Sequence, residues 1–396
     1  MGSNNQAVKM AANVLICMQV ILMIQLLQVL PMECKALIPT HPFTNVLIDR
    51  SNPFTLNSLK SSTALSMGFF DNLNSIISPM KSDGSSNNNN ISSPKVSLPP
   101  NFQVPEPKPL TITRSSEIPS LLKSSVALVV RLATSAFVLG WKIDTLFYDE
   151  NDVESNQKYS LALGPFKIRD SSSVLSDAPR PKETIIIYEY DASPFCKRVR
   201  EIVNLLDLTV EYRPCPGARQ SSFSKELYEL TSRQTIPYMI DPNTNVSMFE
   251  SNDIIQYLLD TYGPQDKSSY DIKALWPITF GQFSVFTSGI AAIVRDMPAS
   301  NRQSNARPDN EEMKPLELWG YECSPFVKPV REKLCSLALP HRMVSCSRGS
   351  KNRDILIQRT GTKFQVPYLI DPNTGIEMFE SFEICEYLDS VYTVKL

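Results

Sequence analysis

Residues 188–200 read Tyr-Glu-Tyr-Asp-Ala-Ser-Pro-Phe-Cys-Lys-Arg-Val-Arg. A β-branched apolar run of strand length, Thr184 to Ile187, precedes them. A helical pattern follows, with Val199, Ile202, Val203 and Leu206 on one face. Ser193 suits an N-cap, and Pro194 the first helical position, where a missing N–H costs nothing. Cys196 then falls in the first turn, where free N–H groups and the helix dipole favour a thiolate. Any helix can begin Ser-Pro, so this stretch alone leaves open whether these residues do chemistry or only start a helix.

Two further stretches narrow the reading. Thr235-Ile-Pro-Tyr-Met-Ile-Asp-Pro-Asn-Thr-Asn245 reads as strand, turn and strand. Pro237 interrupts an apolar run, which a central strand rejects unless the proline has a special role such as a cis bend. Met248 to Leu258 carries Glu250-Ser251 ahead of a helix with Ile254, Ile255, Leu258 and Leu259 on its apolar face, Ser251 being the expected cap. The order from Thr184 to Tyr262 is β-α-β-α-β-β-α. Ser-Pro-Phe-Cys at the first helix, Ile-Pro before the third strand and Glu-Ser at the last helix together resemble the N-terminal domain of glutathione transferases, and behind it the glutaredoxins.

The pattern occurs twice. Leu318 to Arg331 repeats the first motif, Phe364 to Gly375 the second, and Met378-Phe-Glu-Ser381 the third, at offsets of 131 or 130 residues. Two copies are too few for a solenoid. The fold expected is α/β: two tandem thioredoxin-like domains after a disordered N-terminal region. Its divisions are a targeting segment and Ser/Asn/Pro-rich linker (1–116), an accessory helix and strand region (117–180), repeat 1 (181–263), an apolar helix and polar linker (264–315), and repeat 2 (316–396). The arrangement resembles a plant family of chloroplast proteins with two such domains.

That resemblance implies a ligand and a set of roles. Glutathione is the expected ligand or substrate, and thiol proteins are possible partners. Ile236 and Val366, each beside a cis proline (Pro237, Pro367), would pair with the cysteinyl part of glutathione. Glu250-Ser251 and Glu380-Ser381 would hold its γ-glutamyl end, a carboxylate taking the ammonium while Ser and a helix N-terminus take the carboxylate. Helix capping is the plainer role for both pairs. Ser193 and Ser324 stand where tau-class transferases use a serine hydroxyl to stabilise the glutathione thiolate. Glutaredoxins instead use Cys-Pro-x-Cys. Here the first position is Ser193, Cys196 holds the resolving position, and repeat 2 has Ser324 and Val327, with Cys323 one residue early. Neither repeat can run a dithiol cycle inside its own motif. Cys215 and Cys346, 131 residues apart, fall at the end of each second strand, so Cys215 is a possible redox partner of Cys196 or simply a buried thiol. Pro329 replaces Arg198 in repeat 2 and is expected to strain that helix, which marks repeat 2 as the structural copy.

Composition excludes several classes. The chain has 396 residues, a net charge of −2, eight cysteines and two histidines. No basic stripe or nucleic-acid motif appears. No disulfide framework is evident, a zinc site is not expected, and repeat 1 lacks the histidine of a Ser-His-Asp triad.

Three apolar stretches remain. Met10 to Met32 is uncharged, and reads as a secretory signal, a membrane span or the start of a transit peptide. Residues 35–116 are Ser-, Asn- and Pro-rich and acid-poor, and with the resemblance they favour a chloroplast. Ser120 to Lys142 is spaced as an amphipathic helix, and Tyr159 to Arg169 as a short strand or hairpin. Ala274 to Val294, bounded by Lys273 and Arg295, reads as a helix packed between the two repeats, with membrane association as the alternative.

Overall fold

Arg131 ends the first α-helix among the described residues. The computed structural model describes residues 96–108, 114–147, 158–163, 166–217, 220–266, 275–308, 313–361 and 364–394. The apolar run 10–32 and the Ser/Asn tract lie outside the described residues. Helix α1 (Ile118–Val130) is shorter than the expected 120–142 span. Arg131 is buried there and bonds Glu201 through Nε at 2.9 Å. Leu132, Ala133 and Ser135 then take positive φ, which no α-helix continues through. Strands β1 (Trp141–Phe147), β2 (Leu161–Leu163) and β3 (Phe166–Ser172) follow as an antiparallel sheet in the order β1-β3-β2.

Repeat 1 has the expected order. Its elements are β4 (Ile185–Glu189), α2 (Pro194–Leu205), β5 (Val210–Pro214), α3 (Ser222–Thr231), β6 (Tyr238–Asp241), β7 (Val246–Phe249) and α4 (Ser251–Tyr262). All five residues of β4 are buried, as a strand covered on both faces requires. Val199, Ile202, Val203 and Leu206 form the fully buried seam of α2. Strands β4 and β5 are parallel, while β6 and β7 are antiparallel to their neighbours.

The apolar stretch after repeat 1 breaks into α5 (Trp276–Thr279) and α6 (Gly281–Val294). Helix α6 packs mainly on α1 and α2 of the repeat 1 side, while its C-cap Arg295 reaches repeat 2, donating from Nε to Glu332 Oε1 at 2.8 Å. Among the described residues no helix is long and apolar enough to cross a membrane.

Repeat 2 comprises β8 (Leu316–Gly320), α7 (Val327–Ser336), β9 (His341–Ser345), α8 (Asn352–Thr360), β10 (Tyr368–Asp371), β11 (Ile376–Phe379) and α9 (Ser381–Tyr392). Pro329 shortens α7 at its start: Lys328 N bonds Ser324 O at 3.1 Å, as Lys197 N bonds Ser193 O, but the next N–H is missing and the regular helix runs only from Val327.

The two repeats share one sheet of eight strands, in the order β11-β10-β8-β9-β5-β4-β6-β7. The join is β5 against β9, antiparallel, with Val210 opposite Met343, Glu211 opposite Arg342 and Tyr212 opposite His341. Glu211 and Arg342 are equivalent positions, 131 residues apart, so the register is self-complementary about them. A local twofold axis passes there, as in an isologous dimer interface.

Residues 96–108 are not the free linker that their prolines led us to expect. Val96 is buried in the main core, and the Phe102 ring lies 5.3 Å from that of Tyr387 on α9.

Candidate functional site

The end of β4 and the start of α2 set the site of repeat 1. Ser193 is the N-cap of α2, and its Oγ accepts the Cys196 N–H at 3.3 Å. Because β4 and β5 are parallel, Cys215 just past β5 arrives at the same edge, where its N–H bonds Glu189 O at 2.7 Å. The Ile236–Pro237 peptide is cis, and so is Val366–Pro367. Ser193, Phe195, Cys215, Gly217, Ser224 and Ile236 line a cleft of about 330 Å³. Phe195 stands exposed at its mouth.

Cys196 departs from the sequence expectation. Its side chain is buried and does not line the cleft. Burial, with Glu189 adding to it, pushes the thiol up to about 12, against the helix N-terminus that was expected to lower it. Burial likewise pushes Cys215 up to about 12. Both thiols are free.

Glu250 and Ser251 begin α4 outside the cleft lining. Glu250, not Ser251, holds the cap position, and Ser251 is the first helical residue. Glu250 has φ 67° and Glu380 φ 77°. This is a positive-φ conformation that glutamate rarely adopts, and it is found at both equivalent positions. Arg198 ties α2 to this region, donating to Ile278 O (2.9 Å), Ser251 Oγ (3.3 Å) and Asn252 Oδ1 (2.7 Å).

The equivalent space in repeat 2 is filled by the chain itself. Ser324 Oγ caps Val327 N at 3.4 Å, as Ser193 does in repeat 1. The loop after α1, however, seals this edge. Val138 N bonds Arg348 O (2.9 Å), Arg348 N bonds Ala136 O (2.8 Å), and Ser347 Oγ bonds Ser135 O (2.8 Å). Cys323 Sγ lies 4.0 Å from Ala133 O, and its thiol is pushed up to about 12 by burial. Phe364, at the position of the cleft residue Gln234, stacks edge-on with Tyr159 at 5.0 Å, and the Arg353 guanidinium sits over both rings. The carboxylate of Glu380 accepts the backbone N–H of Lys108 and the amide of Gln365. Ser381 Oγ turns to Phe326 O at 2.5 Å.

A cluster of buried charges joins the two sites from below. Glu322 accepts from Lys197 (2.8 Å), Arg200 (2.9 Å), Lys328 (3.2 Å) and Arg331 (2.5 Å). Arg331 also reaches Glu189 and Asp191, both at 3.1 Å. Arg200 and Arg331 are repeat equivalents, as are Asp191 and Glu322, so each arginine reaches an acid of the other copy. Sequence reasoning missed this cluster. Its signal was the 131-residue spacing of these like pairs. The cleft residues Ser224 and Gln234 were also missed, because no motif contains them, and Tyr190 was quoted in the first motif but given no role.

Residues 187–266 and 318–394 each match the family described as Glutathione S-transferase, N-terminal domain. No curated protein and no solved structure matches the chain.

Proposed function

Because the chain carries two glutathione S-transferase N-terminal domains in tandem, we propose that it binds glutathione in repeat 1 and not in repeat 2. The observation that carries this reading is the asymmetry of the two sites. Repeat 1 has an open cleft at the α2 N-terminus, the same place in repeat 2 is occupied by residues 133–138 and Tyr159, and Lys108 takes up Glu380, the counterpart of Glu250.

The chemistry supported is polarisation of a bound thiol rather than dithiol exchange. Ser193 Oγ accepts the Cys196 N–H, and its own proton, which now faces the Cys196 thiol, turns to the sulfur of a bound thiolate. The partial positive charge at the start of α2 acts in the same direction. Cys196 is buried with a raised pKa, so it is not the nucleophile. Glu250 is exposed beyond the cleft and takes the ammonium of a ligand that extends past Ile236. Calorimetric titration of the whole protein with glutathione tests the reading. One site per chain is expected, weakened by Glu250→Gln and unchanged by Glu380→Gln. Absence of binding, as for a pure interaction scaffold, or two equal sites overturns it.

A further inference from the structure

Helices α1 and α6 pack antiparallel on the flank of repeat 1. Lys123 near one end of α1 pairs with Asp296 just past α6, and Arg131 at the other end donates to Ser284 O at 3.1 Å. Apart from Leu121, the buried residues of the two helices are small: Ser124, Ser125 and Ala127 on α1, and Ser284, Ser288, Ala291 and Ala292 on α6. Ser124 and Ser284 bond Ser120 O (3.0 Å) and Pro277 O (2.6 Å), carbonyls at or near their own helices, whereas the buried Ser288 Oγ has no partner among the described residues.

The large apolar residues point the other way. Leu122, Val126 and Val129 form an exposed stripe on α1 at i, i+4 and i+7. Phe283, Phe286 and Ile293 form another on α6 at i, i+3 and i+10. Phe286 and Ile293 are each 65% exposed. Small residues inside and large apolar residues outside is the reverse of a helix pair that faces water, and is the distribution of helices that face hydrocarbon. The helices have 13 and 14 residues. At about 1.5 Å per residue neither reaches the roughly 30 Å of a bilayer core.

We infer that this face is a lipid-docking surface, on which α1 and α6 lie in the plane of a membrane interface with both stripes in the acyl region. The same chain carries a second apolar element ahead of residue 96, the uncharged run Met10 to Met32. If that run also enters the membrane, the two contacts add, because the second forms at a high effective concentration. Helix α6 packs on α2, which Ser193 caps, so docking brings the cleft of repeat 1 close to the bilayer.

Flotation of the full-length protein with large unilamellar phosphatidylcholine–phosphatidylglycerol vesicles tests this. Two surface variants, Phe283→Ser with Phe286→Ser, and separately Leu122→Gln with Val126→Gln, remove one stripe each. Each pair is expected to lower the partition coefficient at least about tenfold, with thermal melting unchanged. Binding that remains when both pairs are combined in one chain measures the Met10 to Met32 contribution. A partition coefficient unchanged in both variants overturns the proposal. So does sedimentation showing a wild-type dimer that both variants dissociate, because a second copy of the chain would then cover this face.

Discussion

Glu322 of repeat 2 accepts a hydrogen bond from Arg200 of repeat 1 at 2.9 Å, in a region where neither side chain meets solvent. Burial alone would raise the Glu322 carboxyl, but Arg200, Lys197, Lys328 and Arg331 outweigh it and hold the group well below the usual carboxylate range. Removing this acid strands buried cations. Glu322→Ala is expected to cost about 3–5 kcal/mol, read as a lower urea midpoint. A midpoint within error of wild type would show that the cluster is not what holds the repeats together.

The same group sets an acid limb. A carboxyl with a depressed folded pKa contributes stability above its unfolded value, and loses it as pH falls through the folded one. Acid unfolding of the wild type below about pH 4 should therefore be steeper than that of Glu322→Gln. Parallel curves would assign the acid limb to other carboxylates.

Glu117 works with the opposite sign. Burial, then the neighbouring Glu383, raise its carboxyl from 4.5 to about 7, with Arg114 opposing. A raised carboxyl favours folding while protonated. That contribution is full below about pH 4.5 and is lost as pH rises through 7. Glu117→Gln should gain about 1–2 kcal/mol over wild type at pH 8 relative to pH 5. The difference between the two urea midpoints, measured at both pH values, checks it.

Ser193→Ala removes the hydroxyl that we propose polarises a bound thiol. The apparent pKa of bound glutathione, followed by thiolate ultraviolet absorbance, should rise by about one unit or more. The lost cap should also cost about 0.5–2 kcal/mol. A bound thiol with unaltered acidity would leave Ser193 as a cap alone.

Ser193→Cys places a thiol at the cleft, at the helix N-terminus. That thiolate attacks a glutathionylated protein, releasing the protein thiol and taking up the glutathione as a mixed disulfide. A second glutathione then releases oxidised glutathione and restores the thiol. Cys196 is buried away from the cleft, so Ser193→Cys combined with Cys196→Ser should turn over as well as Ser193→Cys alone. Loss of turnover in the double variant would show that Cys196 takes part after all.

Much of the frame was legible because local rules fix it. The Asp-Pro-Asn-Thr tracts recur because each buries one acid in the same way. Asp241 accepts from Tyr257 and Tyr262, and Asp371 from Tyr387 and Tyr392. The seam of α2 and the cap at Ser193 follow from spacing and residue type in the same manner. The join between β5 and β9 was not legible, since an edge strand has the same pattern whether it meets solvent or another strand. The burial of Cys196 escaped for a related reason. Position in a first turn gives the dipole, but not the side to which the thiol points. The segment 96–108 misled through its prolines, because Val96 and Phe102 are enough to dock an extended stretch that composition assigns to disorder.

The self-complementary register at Glu211 and Arg342 makes this chain a dimer folded into a single molecule. Separate subunits would obey mass action and fall apart on dilution, whereas a tethered pair does not. Covalent linkage also removes the requirement that both halves stay alike. One copy can keep its opening while the other is given over to support, filled by segments that identical subunits would have had to present twice. Cutting the chain between the halves would restore two open sheet edges, at β5 and β9, each a template for unwanted pairing. Neither half is therefore expected to behave as a well-mannered domain by itself.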